Sequence, residues 1–495
     1  MRRTCSDALL LSFMLLSALL TQLPHLSAHG PTDRSVHTVH HDSRQIGPND
    51  IFVAIQGAAV DGRKFAPNLN AAAVISDGPV QVKGGVCVIH VDNARLALAQ
   101  CAAILSNHPA QNLPVIGITG TNGKTTTAWL IEQLLMHHRI KTGIIGTLSH
   151  RVNGDLVQQS THTTPEASTL QPMLRSMLEG GCHCAIMEVS SIGLDMHRVD
   201  AIPFKMGVFT NLSRDHLDYH SDYDAYFEAK RRLFTDLIAP DGTVILNADD
   251  PRYQDLANAH PSTISYGLHA HADYWFEIQG ARPTGFELIL HTPTLDIPCN
   301  LPLIGQHNLY NLLAALIVVE RLGCPISASV EFLPDLKSAP GRLESVLENA
   351  PFQVFTDYAH TPDALRHVLQ SLNKQCSGRL ITVFGCGGDR DKGKRQEMGR
   401  IAESLSSIAI VTSDNPRSEP PERIIQDICK AMTHPICITD RRAAIQYALE
   451  CAQPDDVILI AGKGHENYQE INGQRFPFED RAAVKKLYEA FKNDS

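Results

Sequence analysis

Apolar runs and helix-patterned stretches alternate along most of this chain, which predicts an α/β protein. VIGIT (115–119), GIIGT (143–147), AIMEV (185–189), GVFTN (207–211) and TVILN (243–247) read as strands. The stretches near 167–179 and 222–238 between them read as helices. That order implies a mainly parallel sheet covered by helices on both faces. LYNLLAALIVVERLG (309–323) is a strong helix stopped by Gly323. Earlier, residues 30–111 form a smaller α/β segment, with strands in DIFVAIQG (50–57) and VCVIH (86–90) and an alanine-rich helix over 94–105. Residues 258–300 alternate apolar and polar positions with few helix signals, which predicts a small antiparallel insertion.

Turn residues divide this pattern into three domains. Asn107-His108-Pro109 and Asn112-Leu113-Pro114 mark one linker, and Ser338-Ala339-Pro340-Gly341 marks another. The expected domains are 1–111, 112–339 and 340–495, the last a doubly wound, Rossmann-like unit. In it, four apolar runs each end in a polar loop: FQVFTDYAHTPD (352–363), LITVFGCGGDRDKGKR (380–395), IAIVTSDNPR (408–417) and VILIAGKGHE (457–466). Ligands of open α/β sheets bind beyond the carboxyl ends of the strands, so four such loops at one edge would make a composite polar site.

Composition narrows the class. A chain of 495 residues exceeds one ordinary core, and 43% hydrophobic with 19% charged residues suits a globular enzyme. A formal net charge of −10 argues against binding nucleic acid by broad phosphate neutralisation. The 12 cysteines are scattered, and Cys182 and Cys184 lack the second ligand pair of a structural zinc site. Neither a disulfide framework nor a zinc centre is expected.

The chemistry begins at residues 120–126. Gly120-Thr121-Asn122-Gly123-Lys124-Thr125-Thr126 follows an apolar strand and opens a helix. That setting suits a phosphate loop, in which backbone N–H groups and the helix N-terminus surround phosphate. Lys124 would reach the outer phosphates, and Thr125 would offer a hydroxyl to magnesium. The usual spacing places a glycine where this chain has Ile118. Glu188 ends another strand and is placed to hold magnesium directly or through water. TNLSRDHLDYH (210–220) ends the next strand and gathers Arg214, Asp215, His216 and Asp218. Lys230, in FEAKRRLF, reads locally as an exposed helical lysine.

The combined motifs resemble the Mur ligase family of ATP-dependent, amide-bond-forming enzymes. GTNGKTTT (120–127), MEVSSIGL (187–194), NLSRDHLDYH (211–220), GQHNLYN (305–311), DYAHTPDAL (357–365) and GGDRDKGKR (387–395) occur in the family's order. The resemblance covers the chain beyond about residue 40, and the loop variant with Ile118 is the family's own. Within the family, the likeness is closest to members that add diaminopimelate to a UDP-muramoyl-dipeptide. It implies that Asp414, Asn415, Pro416 and Arg417, with Arg390, Gly462 and Glu466, hold the incoming amino acid. An arginine fork suits the second carboxylate that separates diaminopimelate from lysine.

The same resemblance implies nucleotide contacts at Asn308, Asn311, Arg342 and Asp357 beside the phosphate loop. It places the UDP substrate at Ser43 and Ala58-Ala59-Val60, and the muramoyl-dipeptide at His162, Thr163, Thr164, Ser190, Met196 and Arg198. Here the chain departs from the family pattern: Ile192 replaces a histidine, Met196 a glutamine and His162 an asparagine. Lys124, Glu188, His216 and Lys230 become the catalytic set, with Thr125, Glu188, His216 and Lys230 around Mg2+ and Lys230 carbamylated, a change that turns a repelled cation into a magnesium-attracting anion.

The expected partners are three small molecules, ATP among them, with neither nucleic acid nor membrane, and the expected state is a cytoplasmic monomer. A lysine-adding or folylpolyglutamate-type ligase, and a nucleotide-hydrolysing switch, are the alternatives. The N-terminal run ALLLSFMLLSALL (8–20), after Arg2 and Arg3 and before Leu26-Ser27-Ala28, has the outline of a secretory signal. It is too short to span a bilayer. An amphipathic first helix capped by Ser6 and Asp7 is preferred, since an ATP-dependent enzyme works in the cytoplasm.

Overall fold

The computed structural model describes residues 14–57, 60–160, 162–282, 285–347, 350–374 and 376–494. By internal contacts the chain divides into two compact units. The first comprises 1–117, 140–207 and 229–243, and the second 118–139, 208–228 and 244–495.

In the first unit, a small sheet runs in the order Ser27–His29, Cys87–His90, Ala73–Ser76, Ile51–Val53 and Val39–His40. Its strands are parallel apart from the first. The helix Ala94–Leu105 matches the predicted 94–105, because Asn93 caps it by accepting from the N–H groups of Arg95 and Leu96. Its apolar face packs on the sheet with Leu16, Leu19 and Leu23.

The N-terminal reading needs correction. The capped helix over 8–20 is reduced, among the described residues, to one short helix at Leu16–Leu20, without a side-chain cap. Met14–Leu15 is instead extended and pairs with Ser35–Val36. Ser6 and Asp7 lie outside the described residues. A nearly all-apolar run has no period to separate helix from strand; here Met14–Leu15 is held extended by its pairing, while Leu16 and Leu19 of the helix are buried.

The same unit holds the strands Asp155–Gln159, Ser149–Val152, Thr142–Ile145 and Cys184–Glu188, side by side in that order. The second unit holds the series from the Val244 end of Ile238–Asn247 through Thr263–Gly267, Tyr274–Arg282 and Gly285–His291 to Asp296–Leu301. Within the second unit this series is one continuous run of paired strands. The segment 258–300 is therefore not a separate insertion. Its antiparallel strands, paired Trp275 to His291 and Phe286 to Leu301, extend the sheet itself.

The C-terminal sheet has the order Glu344–Ser345, Gln353–Asp357, Val457–Ala461, Leu380–Phe384, Ile408–Val411 and Ile436–Cys437. All but the first are parallel. Parallel pairing puts the loops after 357, 461, 384 and 411 at one edge of the sheet, so the four polar loops do meet. Apolar side chains cover both faces of this sheet. No helix among the described residues is long and apolar enough to cross a membrane.

Candidate active site

The phosphate loop joins the buried strand Val115–Thr119 to the helix Lys124–His137. Gly120 and Gly123 have φ values of 142° and 90°, which a side chain rarely adopts. A Cβ on Gly120 would lie 1.9 Å from Thr210 Oγ1, and one on Gly123 2.4 Å from Asn311 Oδ1. Asn211 braces the loop, its carbonyl accepting from Thr121 N (2.8 Å) and its Oδ1 from Asn122 N (3.0 Å). Lys124 Nζ donates to the carbonyls of Gly120 (2.7 Å) and Thr121 (2.8 Å), which holds the ammonium over the loop.

Beside it lies a cavity of about 510 Å³, within the usual range for small-molecule sites. Asn122, Gly123, Thr126, Asn308, Asn311, Arg342 and Asp357 all line it, so residues predicted from separate motifs share one wall. Asn311 Nδ2 donates to Asn308 Oδ1 (3.1 Å), and Asn308 Nδ2 donates to the Ile304 carbonyl (2.7 Å). Asp357 accepts from Leu343 N (2.6 Å) and Ala359 N (2.7 Å), fixing the turn that carries Arg342. Burial raises the Asp357 pKa, with the Arg342 charge opposing. Arg342 stacks 4.6 Å from the Tyr358 ring. Burial also pushes His307, on the same wall, down to about 4, so its imidazole is neutral at pH 7.

His216 lies within the 210–220 segment with φ 53°, its N–H donating to Asp215 Oδ1 (2.9 Å). Burial works to raise Asp215, yet neighbouring His216, with its backbone N–H, and Lys124 hold it below the usual carboxylate range.

In the other unit, the dipeptide-motif residues gather around the strand ending at Glu188. Glu188 is buried, and its two oxygens accept from Thr147 N and Thr147 Oγ1, both at 2.9 Å. Thr147 Oγ1 also meets Thr163 Oγ1 at 3.0 Å. Thr164 Oγ1 donates to the Glu188 carbonyl (3.0 Å) and accepts from Ser190 N (2.9 Å). Arg198 donates to the Thr164 carbonyl (2.8 Å), pairs with Glu166 (2.6 Å) and reaches the Met196 sulfur (3.4 Å). Met196, standing where the family has glutamine, thus still accepts from Arg198. His162 is exposed at the rim of the Thr163-Thr164 turn. Ser43 opens a short 3-10 turn capped by Asp42, and Val60 is exposed. Ala58 and Ala59 lie outside the described residues. Lys230 is 1% exposed, against the local reading of a solvated lysine.

At the C-terminal sheet edge, Arg417 has φ 51°, and its Nη1 donates to the Gly388 carbonyl (2.8 Å). A Cβ on Gly387 would lie 2.9 Å from Arg417 Nη1 and 3.8 Å from Arg390 Cγ, so the two arginines flank that glycine. Asp414 and Asn415 are buried. Asn415 Nδ2 donates to Glu466 Oε2 (2.7 Å), joining the 408–417 and 457–466 loops. Gly462 has φ 116°, and a Cβ there would strike Asp414 Oδ2 at 2.4 Å. The carbonyl of Pro416 packs against Gly388.

Thr210, Asn247, Asp249, Asp250 and Tyr310 also line this cavity and were missed by the motifs. Thr210 and Tyr310 lie inside quoted segments, but strand-end residues such as Asn247 carry no local signal. Lys463 was missed too, being an unremarked lysine in a glycine turn. It is fully buried between Asn415 and Glu466.

This architecture is a known one. Family models for the Mur ligase family, catalytic domain, the Mur ligase middle domain and the Mur ligase, glutamate ligase domain match residues 35–118, 118–319 and 341–464. The UDP-N-acetylmuramoyl-L-alanyl-D-glutamate–2,6-diaminopimelate ligase of Geobacter metallireducens is 41% identical, covering 92% of this chain and 95% of its own. The ligase of the same name from Trichormus variabilis is 42% identical, covering 91% and 93%. A solved structure of an enzyme of that name superposes with a TM-score of 0.71 at 33% identity, covering 97% of this chain and 99% of that one. A MurF ligase from Thermotoga maritima in complex with ADP shares the fold, with a TM-score of 0.63 at 17% identity over 92% of this chain and 98% of its own. The chain belongs to the Mur ligase family, and its three-domain α/β architecture is that of the family.

Proposed function

We propose that this chain is the ATP-dependent ligase that adds meso-diaminopimelate to UDP-N-acetylmuramoyl-L-alanyl-D-glutamate in peptidoglycan precursor synthesis. The observation that carries the ATP half is the single cavity lined by the phosphate loop, Asn308, Asn311, Arg342 and Asp357. The diaminopimelate half rests on the sequence likeness and on Arg417 and Arg390 flanking one glycine at the sheet edge. Residues 1–111 take the UDP substrate, 112–339 the ATP and 340–495 the amino acid.

In this reading, Lys124 and the loop N–H groups cradle the ATP phosphates. The D-glutamate γ-carboxylate attacks the γ-phosphorus, giving an acyl phosphate and ADP. The diaminopimelate amine then attacks the acyl carbon, and phosphate leaves from the tetrahedral intermediate. Thr164, Ser190 and Arg198 orient the dipeptide, while Arg417 and Arg390 receive the far carboxylate of the amine so that its nucleophile is presented in one direction. Water must be kept away from the acyl phosphate.

Magnesium fits the donor types on offer. In one unit the Thr125 hydroxyl and His216 would offer donors beside the phosphate loop, and in the other Glu188 and carbamylated Lys230 would offer carboxylate oxygens. Among the described residues, no three His, Cys, Asp or Glu side chains form a metal-holding group. A cation that keeps water and phosphate ligands needs only one or two from protein. When bound, it neutralises phosphate charge during transfer. The burial of Lys230 supports its carbamylation, because burial favours the neutral amine that reacts with carbon dioxide. We place the reaction in the cytoplasm, with the protein as a monomer.

The test is to incubate the protein with ATP and the UDP-muramoyl-dipeptide, then add meso-diaminopimelate and follow phosphate release and product mass. The reading predicts amine-dependent phosphate and a UDP-muramoyl-tripeptide. Phosphate release indifferent to any amine would make the chain a nucleotide-hydrolysing switch instead.

A further inference from the structure

The geometry points to Lys463 as a positioning residue of the amino-acid site, its ammonium holding Glu466 and Asn415 in the arrangement that receives the charged far end of a diamino-dicarboxylic acid. This rests on the amino-acid reading of the 408–417 and 457–466 loops given above.

Lys463 is 0% exposed, which is rare for lysine and demands partners. Its Nζ lies 3.0 Å from Asn415 Oδ1, 3.2 Å from Glu466 Oε2 and 4.0 Å from Asp414 Oδ1. Asn415 is thereby fixed in orientation. Its Oδ1 accepts from Lys463 and from Glu470 N (2.9 Å), so its Nδ2 must face Glu466 Oε2 at 2.7 Å. One carboxylate oxygen of Glu466 is held twice, and among the described residues no hydrogen bond reaches Oε1. That oxygen is left to accept from an incoming ammonium. The charges agree: two carboxylates against one lysine leave a single negative charge, which one substrate ammonium complements.

Of the other charged groups near this centre, Arg417 pairs with Glu470 (3.7 Å) and Arg475 lies over the Tyr468 ring. Arg441 is neutralised by Asp480 at 2.7 Å. Burial pushes His360 down to about 4, leaving it uncharged, and burial raises both Tyr358 and Tyr468. Burial likewise raises Glu466, with Asp414 adding to the rise and Lys463 and Asn415 opposing it. Loss of the lysine charge would let Glu466 take up a proton at higher pH.

Two variants of the full-length protein test this. Lys463→Gln keeps N–H donors without the charge, and Lys463→Met removes both. The KM for meso-diaminopimelate should rise about ten-fold in each, the KM for ATP should stay put, and the acid limb of kcat/KM for the amine should move up by about one pH unit. In a Glu466→Gln background, Lys463→Gln should no longer shift that limb. A wild-type limb and amine KM in Lys463→Gln would overturn the inference. So would a joint rise of both KM values with an unmoved limb, which marks a merely structural lysine. Wild-type protein that fails to turn over meso-diaminopimelate would remove the functional reading itself, whereas normal wild-type turnover with unaffected variants removes this inference alone.

Discussion

The cavity beside the phosphate loop and the C-terminal loop cluster sit in the same compact unit but are built from different materials. Around the phosphate loop, shape is set by glycine backbone, threonine hydroxyls and the amides of Asn211, Asn308 and Asn311, with Lys124 as the cation held over the loop. At the C-terminal sheet edge, buried charges do the equivalent work. Lys463 is set among Asp414 and Glu466, Arg395 between Glu419 (2.8 Å) and Asp427 (3.0 Å), and Arg441 against Asp480. A cradle of backbone N–H groups, amides and one lysine suits a triphosphate that many enzymes share. In the proposed function, a lattice of fixed charges would discriminate between amino acids that differ by one carboxylate, because an unmatched buried charge is costly.

That contrast can be broken at several points. The largest effect is expected from Lys124→Met, which should lower kcat by about a hundred- to a thousand-fold, because it removes a preorganised cation from the transferring phosphate. Single-turnover measurement of acyl-phosphate formation checks this, and a change in the amine KM alone would contradict it. Next, Arg417→Lys should raise the KM for meso-diaminopimelate by about ten- to a hundred-fold, since a point charge cannot replace the planar fork. Nucleotide affinity should be unmoved, as read by titration with ATP.

Asn311→Ala should act on the other region, raising the KM for ATP by about five- to ten-fold, or roughly 1 kcal/mol, because it leaves Asn308 Oδ1 without its donor. The amine KM should not follow. The smallest effect is on stability. The Arg395 hydrogen bonds to Glu419 hold that carboxyl at about 2, below its ordinary 4.5. A carboxylate with a depressed folded-state pKa stabilises above its unfolded value, and that contribution is lost as pH falls from about 4.5 to about 2. Glu419→Gln should therefore flatten the loss of Tm across that window, as measured by thermal melts at each pH.

The sequence made the phosphate loop and the four C-terminal loops legible because each is local: a strand, a turn and a helix start contiguous in the chain. Their meeting at one edge follows from parallel pairing, which the alternation of strands and helices already implies. Lys230 shows where locality fails. Read in its helix it is an exposed lysine, and its burial comes from packing that no local spacing records. Lys463 fails in the same way, since a lysine between two glycines reads as a solvated turn until Asn415 and Glu466 close around it. Asn247, Asp249 and Asp250 line the cavity from the end of one strand without any motif. The 258–300 segment gave its antiparallel character through its period of two, but period alone does not say whether strands form a separate sheet or lengthen an existing one.

The contrast between the two regions reduces to one claim: the phosphate loop accepts a common fuel, and the charged loops choose the amine. The most direct measurement is kcat/KM for meso-diaminopimelate and for L-lysine, each with ATP and the UDP-muramoyl-dipeptide, in the wild-type protein and in Arg417→Lys. The account predicts wild-type preference for meso-diaminopimelate by about a hundred-fold or more, and collapse of most of that preference in the variant. Equal turnover of the two amines by the wild-type protein would contradict it.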